Sequence, residues 1–83
     1  MLHIKILGPG CPNCEKVEAA AKKAVANFRV PAQIEKVIDR ALIQSYNILA
    51  TPGLVINEKL VSAGRIPNDA EVMSWVADAL AAE

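Results

Sequence analysis

Leu2, Ile4 and Ile6 alternate with His3 and Lys5, the two-residue period of a strand with one buried face. Gly8-Pro9-Gly10 breaks that strand, and the period then lengthens. Cys14, Val17, Ala21, Ala24, Val25 and Phe28 fall at i, i+3, i+4 spacing, with Lys16, Lys22 and Lys23 off the stripe. This predicts a helix over 12–28 whose apolar stripe packs into the core. Glu15 and Glu18 suit the positive end of its dipole, and Pro31 marks its stop. Residues 32–38 read as a short strand through Ile34 and the Val37-Ile38 pair. Asp39 is placed to cap a second helix over 39–46, with Ala41, Leu42 and Tyr46 facing inward and Asn47 suited to a left-handed end. Leu54-Val55-Ile56 and Leu60-Val61-Ser62 flank Asn57-Glu58-Lys59 as a hairpin, although the turn lacks the Asn-Gly that a tight type I′ turn prefers. A last helix opens at Asn68, which forms a capping box with Glu71. It buries Val72, Val76, Ala79 and Leu80, with Trp75 flanking as a packing residue.

The order β-α-β-α-β-β-α defines an α/β fold. Its first βαβ unit requires two parallel strands and a right-handed crossover. The hairpin adds antiparallel strands, giving a four-stranded mixed sheet flanked by helices. At 83 residues and 53% hydrophobic, the chain reads as a single domain over 1–83. Nine basic and nine acidic residues leave no formal net charge, which argues against nucleic acid or an anionic membrane as partner. No run approaches the ~20 apolar residues that span a bilayer, and the N-terminus lacks the pattern of a signal peptide. A cytoplasmic location is expected, where thiols are held reduced.

The only two cysteines form Cys11-Pro12-Asn13-Cys14 at the junction of the first strand and helix. Such a pair serves redox chemistry, metal binding or a static staple. With Cys11 as N-cap, Pro12 falls at N1, where its missing amide costs nothing. The free amides and the helix dipole then favour a thiolate at Cys11, below the free thiol pKa of about 8.5. Cys14, three residues on, is close enough to resolve a mixed disulfide at Cys11. A four-residue loop gains little from a permanent cross-link, which weighs against a staple. Catalysis therefore makes Cys11 the nucleophile and Cys14 the resolving, more buried thiol.

With that dithiol, Tyr46-Asn47-Ile48-Leu49-Ala50-Thr51-Pro52-Gly53-Leu54-Val55-Ile56 resembles the thioredoxin superfamily. The similarity covers essentially the whole chain. It is closest to the minimal prokaryotic thioredoxin-like, or redox-active disulfide, proteins of glutaredoxin size. The resemblance implies a thioredoxin-like fold and a cis Thr51-Pro52 bond beside the sulfurs. It also implies that Thr51 offers its backbone to an extended substrate. Pro12, Thr51 and Pro52 are the candidate substrate-binding residues. Ser62-Ala63-Gly64-Arg65 fits the family's final small-residue element, although Gly64 also suits simple strand termination.

The implied activity is protein disulfide oxidoreduction, with no cofactor beyond the Cys11–Cys14 disulfide and no metal. The expected partners are disulfide-containing proteins and a thioredoxin-reductase-like electron donor, and the expected state is a monomer. Thioredoxins proper carry Trp-Cys-Gly-Pro-Cys, whereas Gly10 precedes the pair here and proline comes first within it. Cys-Pro-x-Cys is the glutaredoxin style, yet the Thr-Val-Pro and later Gly-Gly with which glutaredoxins hold glutathione are missing. Lys5 stands where thioredoxins place a buried acid, six residues before the first cysteine. Pointing at the dithiol, it would favour thiolate; pointing at solvent, as the alternation suggests, it would do nothing. His3 has no tie to the sulfurs. A Cu(I)-type carrier and a redox-sensing binding module are the alternative uses of the same pair.

Overall fold

The computed structural model describes residues 2–8, 12–48 and 50–82. Its elements are β1 (Leu2–Leu7), α1 (Pro12–Phe28), β2 (Ala32–Val37), α2 (Arg40–Gln44), β3 (Gly53–Ile56), β4 (Lys59–Ala63) and α3 (Asp69–Ala82). They form an α/β fold around one four-stranded mixed sheet, in the order β2-β1-β3-β4. β1 runs parallel to β2, from Leu2 opposite Ala32 to Leu7 opposite Val37. It runs antiparallel to β3, which in turn pairs antiparallel with β4.

Alternation along the strands divides the apolar side chains between two layers. Leu2, Ile4, Ile6, Leu54 and Ile56 meet Cys14, Val17, Ala20, Ala21 and Ala24 of α1 and Val72 and Val76 of α3. On the opposite face, Leu7, Val37 and Val55 meet Ile43 of α2 and Ile48. Fully burying one such aliphatic side chain contributes roughly 1.5–3 kcal/mol, whereas an exposed ion pair contributes about 0–1 kcal/mol. The two layers therefore dominate stability, and the surface pairs Lys23–Asp69 and Lys36–Glu18 trim it.

Local chemistry sets the element ends. Asp39 caps α2 by accepting from the amides of Ala41 (2.8 Å) and Leu42 (3.4 Å). Asn68 and Glu71 complete a reciprocal capping box, with bonds of 2.8 and 3.2 Å. Asn47 turns out of α2 at φ 58°, the left-handed conformation that asparagine tolerates.

Two expectations need correction. Ile43 is the buried side chain of α2, at 4% exposure, while Leu42 is 55% exposed and Ala41 lies outward. Five residues make little more than one turn, so periodicity could not fix the helix phase; the Asp39 cap and the apolar pocket of Leu7 and Val55 do. Ile38 lies beyond the end of β2 and is 65% exposed.

The hairpin turn closes in two residues, with Ile56 opposite Lys59 and positive φ at both Asn57 (50°) and Glu58 (68°). That is the backbone sign of a type I′ turn, formed here without glycine. Long-range bonds hold it. The Asn57 amide donates to the His3 carbonyl at 2.7 Å, and the His3 amide donates to Asn57 Oδ1 at 2.9 Å. Lys5 Nζ donates to Glu58 Oε1 at 2.8 Å and to Tyr46 Oη at 3.0 Å, and Tyr46 Oη donates to Glu58 Oε2 at 3.1 Å.

Candidate active site

The first turn of α1, the end of β1 and the segment entering β3 converge on the sulfur of Cys14. α1 begins at Pro12, which lies exposed at the helix start as the N1 reading requires. Cys14 is the third residue of that helix, 5% exposed, and belongs to the larger apolar cluster. Cys11 lies outside the described residues.

Gly8 lies beside both Cys14 and Thr51. A β-carbon at Gly8 would overlap Cys14 Sγ and would lie 3.9 Å from Thr51 Cβ. The Gly8 amide donates to the Val37 carbonyl at 3.0 Å, which fixes this strand end against β2. The Thr51-Pro52 peptide bond is cis; Thr51 is exposed and Pro52 buried. The Pro52 carbonyl accepts from the Gly64 amide at 2.9 Å, tying the segment to the end of β4. Gly64 has φ +75°, and a β-carbon there would stand 3.1 Å from Ala50 Cβ. Glycine at 64 thus serves both a left-handed backbone and a close approach to the loop before Thr51.

A small cavity of about 30 Å³ adjoins Cys14, lined also by Ile6, Gly8, Glu15, Lys36 and Ile38. On the α2 side Thr51 lines a second pocket of about 240 Å³ with Arg40, Ile43 and Gln44. Exposed Ile38 and Ile66 (41%) add apolar surface to the loops after β2 and β4.

Lys5 faces neither the dithiol nor bare solvent. Its side chain is 26% exposed and lies on the α2 face, bound to Glu58 and Tyr46. The hydrogen bond to Glu58, then that to Tyr46, holds its ammonium well above the ordinary lysine range. Hydrogen bonds from Lys5 and, second, from Tyr46 in turn lower the carboxyl of Glu58. Sequence alternation placed Lys5 opposite Ile4 and Ile6 correctly, but no local signal showed its partners 41 and 53 residues away. The Arg40–Gln44 wall of the second pocket was likewise invisible, because only the fold brings α2 beside Thr51.

Among the described residues no three histidine, cysteine or acidic side chains cluster as a metal site. No described helix is long and apolar enough to cross a membrane.

A thioredoxin-like sheet with a buried cysteine in the first helical turn and a Thr-Pro segment beside it defines the class of this protein. The thioredoxin domain family model matches residues 2–77, and the chain belongs to that family. It is 33% identical over 72 residues to a protein named thioredoxin from Methanothermobacter thermautotrophicus, covering 87% of this chain and 94% of that one. A protein of the same name from Methanocaldococcus jannaschii is 36% identical over 72 residues, covering 87% of this chain and 83% of that one. The fold resembles the crystal structure of the germline-specific thioredoxin Deadhead of Drosophila melanogaster. The TM-score is 0.66 at 14% identity, covering 93% of this chain and 79% of that one. The protein is therefore a small thioredoxin-like redox protein.

Proposed function

We propose that this chain is a thiol–disulfide oxidoreductase acting on protein disulfides through Cys11 and Cys14. The observation that carries the reading is the position of Cys14, buried in the first turn of α1 against Gly8, with Thr51 near the same face of that glycine. A sulfur so shielded has little access to a bulky substrate but can meet a neighbour three residues away.

In this mechanism the Cys11 thiolate attacks one sulfur of a substrate disulfide. A Cys11–substrate disulfide forms, the substrate S–S bond breaks, and the departing sulfur takes a proton. Deprotonated Cys14 then attacks Cys11 Sγ, which forms the Cys11–Cys14 disulfide and releases the second substrate thiolate. The substrate gains two electrons and the pair loses two. A thioredoxin-reductase-like donor returns them, and no cofactor beyond the disulfide itself is needed. Thr51 and Pro52 form the ledge on which the substrate backbone lies, and exposed Pro12 borders it at the helix start. The protein acts as a monomeric single domain in the cytoplasm.

Insulin-type disulfide turnover with a reductase as electron source tests the mechanism. Cys11→Ser should abolish turnover, and Cys14→Ser should accumulate mixed disulfides with substrate. Full turnover by Cys11→Ser would refute it. Stoichiometric Cu(I) in anaerobically purified protein, without turnover, would favour metal carriage instead.

A further inference from the structure

Thr51 lies near Cys14 of one layer and lines a pocket on the other. Beside Gly8 it adjoins Cys14, whose sulfur belongs to the α1 layer. On the α2 layer it forms one wall of the 240 Å³ pocket that, among the described residues, is also lined by Arg40, Ile43 and Gln44. Buried Ile43 supplies an apolar surface, and Arg40 and Gln44, four residues apart, project from one side of α2.

The polar groups of this pocket are uncommitted among the described residues. Arg40, like Lys16, Arg29 and Lys59, makes no ion pair among the described residues, but it alone of these four lines this pocket. The adjacent Asp39 carboxylate is engaged by the amides of Ala41 and Leu42. The guanidinium offers a planar fork of donors, the Gln44 amide two more and the Thr51 hydroxyl one. An array rich in donors, with a fixed positive charge, matches a carboxylate better than a neutral amide.

We propose that this pocket is a specificity subsite for an acidic side chain of the protein substrate, adjacent in sequence to the cysteine under attack. The proposal rests on the oxidoreductase reading, which lays an extended substrate along Thr51. Successive side chains of an extended chain point to opposite sides. A substrate cysteine directed at the α1 layer therefore sends its neighbour toward α2, where Arg40 receives the carboxylate and Gln44 and Thr51 add hydrogen bonds.

Binding can be measured without turnover, using short extended peptides with serine replacing the target cysteine and either glutamate or glutamine beside it. NMR titration should show the glutamate peptide binding about fivefold more tightly at low salt, the span of a partly exposed charge pair. The shifts should centre on Arg40, Gln44 and Thr51. Arg40→Gln should remove the preference, and Gln44→Glu should weaken the glutamate peptide selectively. Equal affinities in the wild type, no measurable binding of either peptide, or a full preference in Arg40→Gln would each overturn the subsite. An Arg40-dependent response to glutathione disulfide, with none to the peptides, would also overturn it and assign the pocket to a small thiol. Parallel turnover of the cysteine-containing peptides speaks to the oxidoreductase reading alone: a glutamate preference without turnover would remove that reading and leave the subsite standing.

Discussion

Gly8 presses its bare α-carbon against the sulfur of Cys14, leaving no room for a side chain between them. Gly8 is not among the residues with a left-handed backbone, so the constraint is one of space. Gly8→Ala should destabilise the protein by about 1–3 kcal/mol, the usual cost of overpacking a core contact. It should also slow disulfide turnover, because the displaced sulfur no longer lines up with its partner. Urea unfolding together with an insulin reduction assay checks both effects; a variant matching the wild type in each would show that the contact relaxes freely.

Lys5 offers a test of which layer controls the sulfur. It occupies the offset at which thioredoxins carry a buried acid, yet its ammonium is bound to Glu58 and Tyr46 on the α2 face. Lys5→Met should therefore leave the reduction potential of the dithiol unchanged, measured by equilibration against glutathione redox buffers. A shift beyond about 30 mV, a tenfold change for a two-electron couple, would contradict this placement. The same substitution should loosen the hairpin turn, seen as faster amide exchange at Asn57 and Glu58.

Glu71 gives the fold an acid-sensitive clasp. Its hydrogen bond from Arg65 and, second, that from the Asn68 amide lower its pKa from 4.5 to about 2. The Arg65 fork closes at 2.9 and 2.6 Å. A depressed folded-state pKa contributes stability that is complete above the unfolded value and lost as pH falls toward the folded one. Stability should therefore decline between about pH 4.5 and 2 with a component that Glu71→Gln removes, because the amide still reaches Asn68 but carries no charge. Thermal unfolding across that window, wild type against variant, reads the difference. Parallel curves would mean that solvent screens the clasp completely.

How much of this could be read from the chain depended on whether the deciding contacts were local. α1 was legible to the residue, because seventeen positions at helical spacing leave one way to bury Cys14, Val17, Ala21 and Ala24. The capping box of Asn68 and Glu71 is likewise a four-residue affair. α2 was legible as a helix but misread in phase, since Ile43 is chosen over Leu42 by residues on other strands. The Asn57-Glu58 turn adopts a conformation its own composition disfavours and is held by His3, Lys5 and Tyr46. At the candidate site, local pattern singled out Cys14 and the family resemblance singled out Thr51 and Pro52, but the fold alone disclosed that Gly8 lies beside both Cys14 and Thr51 and that Arg40 lines a pocket with the threonine.

The sheet is roofed unequally: thirty-one helical residues cover one face, in α1 and α3 of 17 and 14 residues, against five in α2 on the other. Thin cover means a low free energy of local opening, so α2 and the neighbouring Thr51 should exchange their amides long before the strands beneath Cys14 do. The thiol–disulfide exchange proposed above would thus draw on two grades of rigidity within one small fold, a fixed sulfur and an adjustable substrate ledge, with the central strands as the boundary between them.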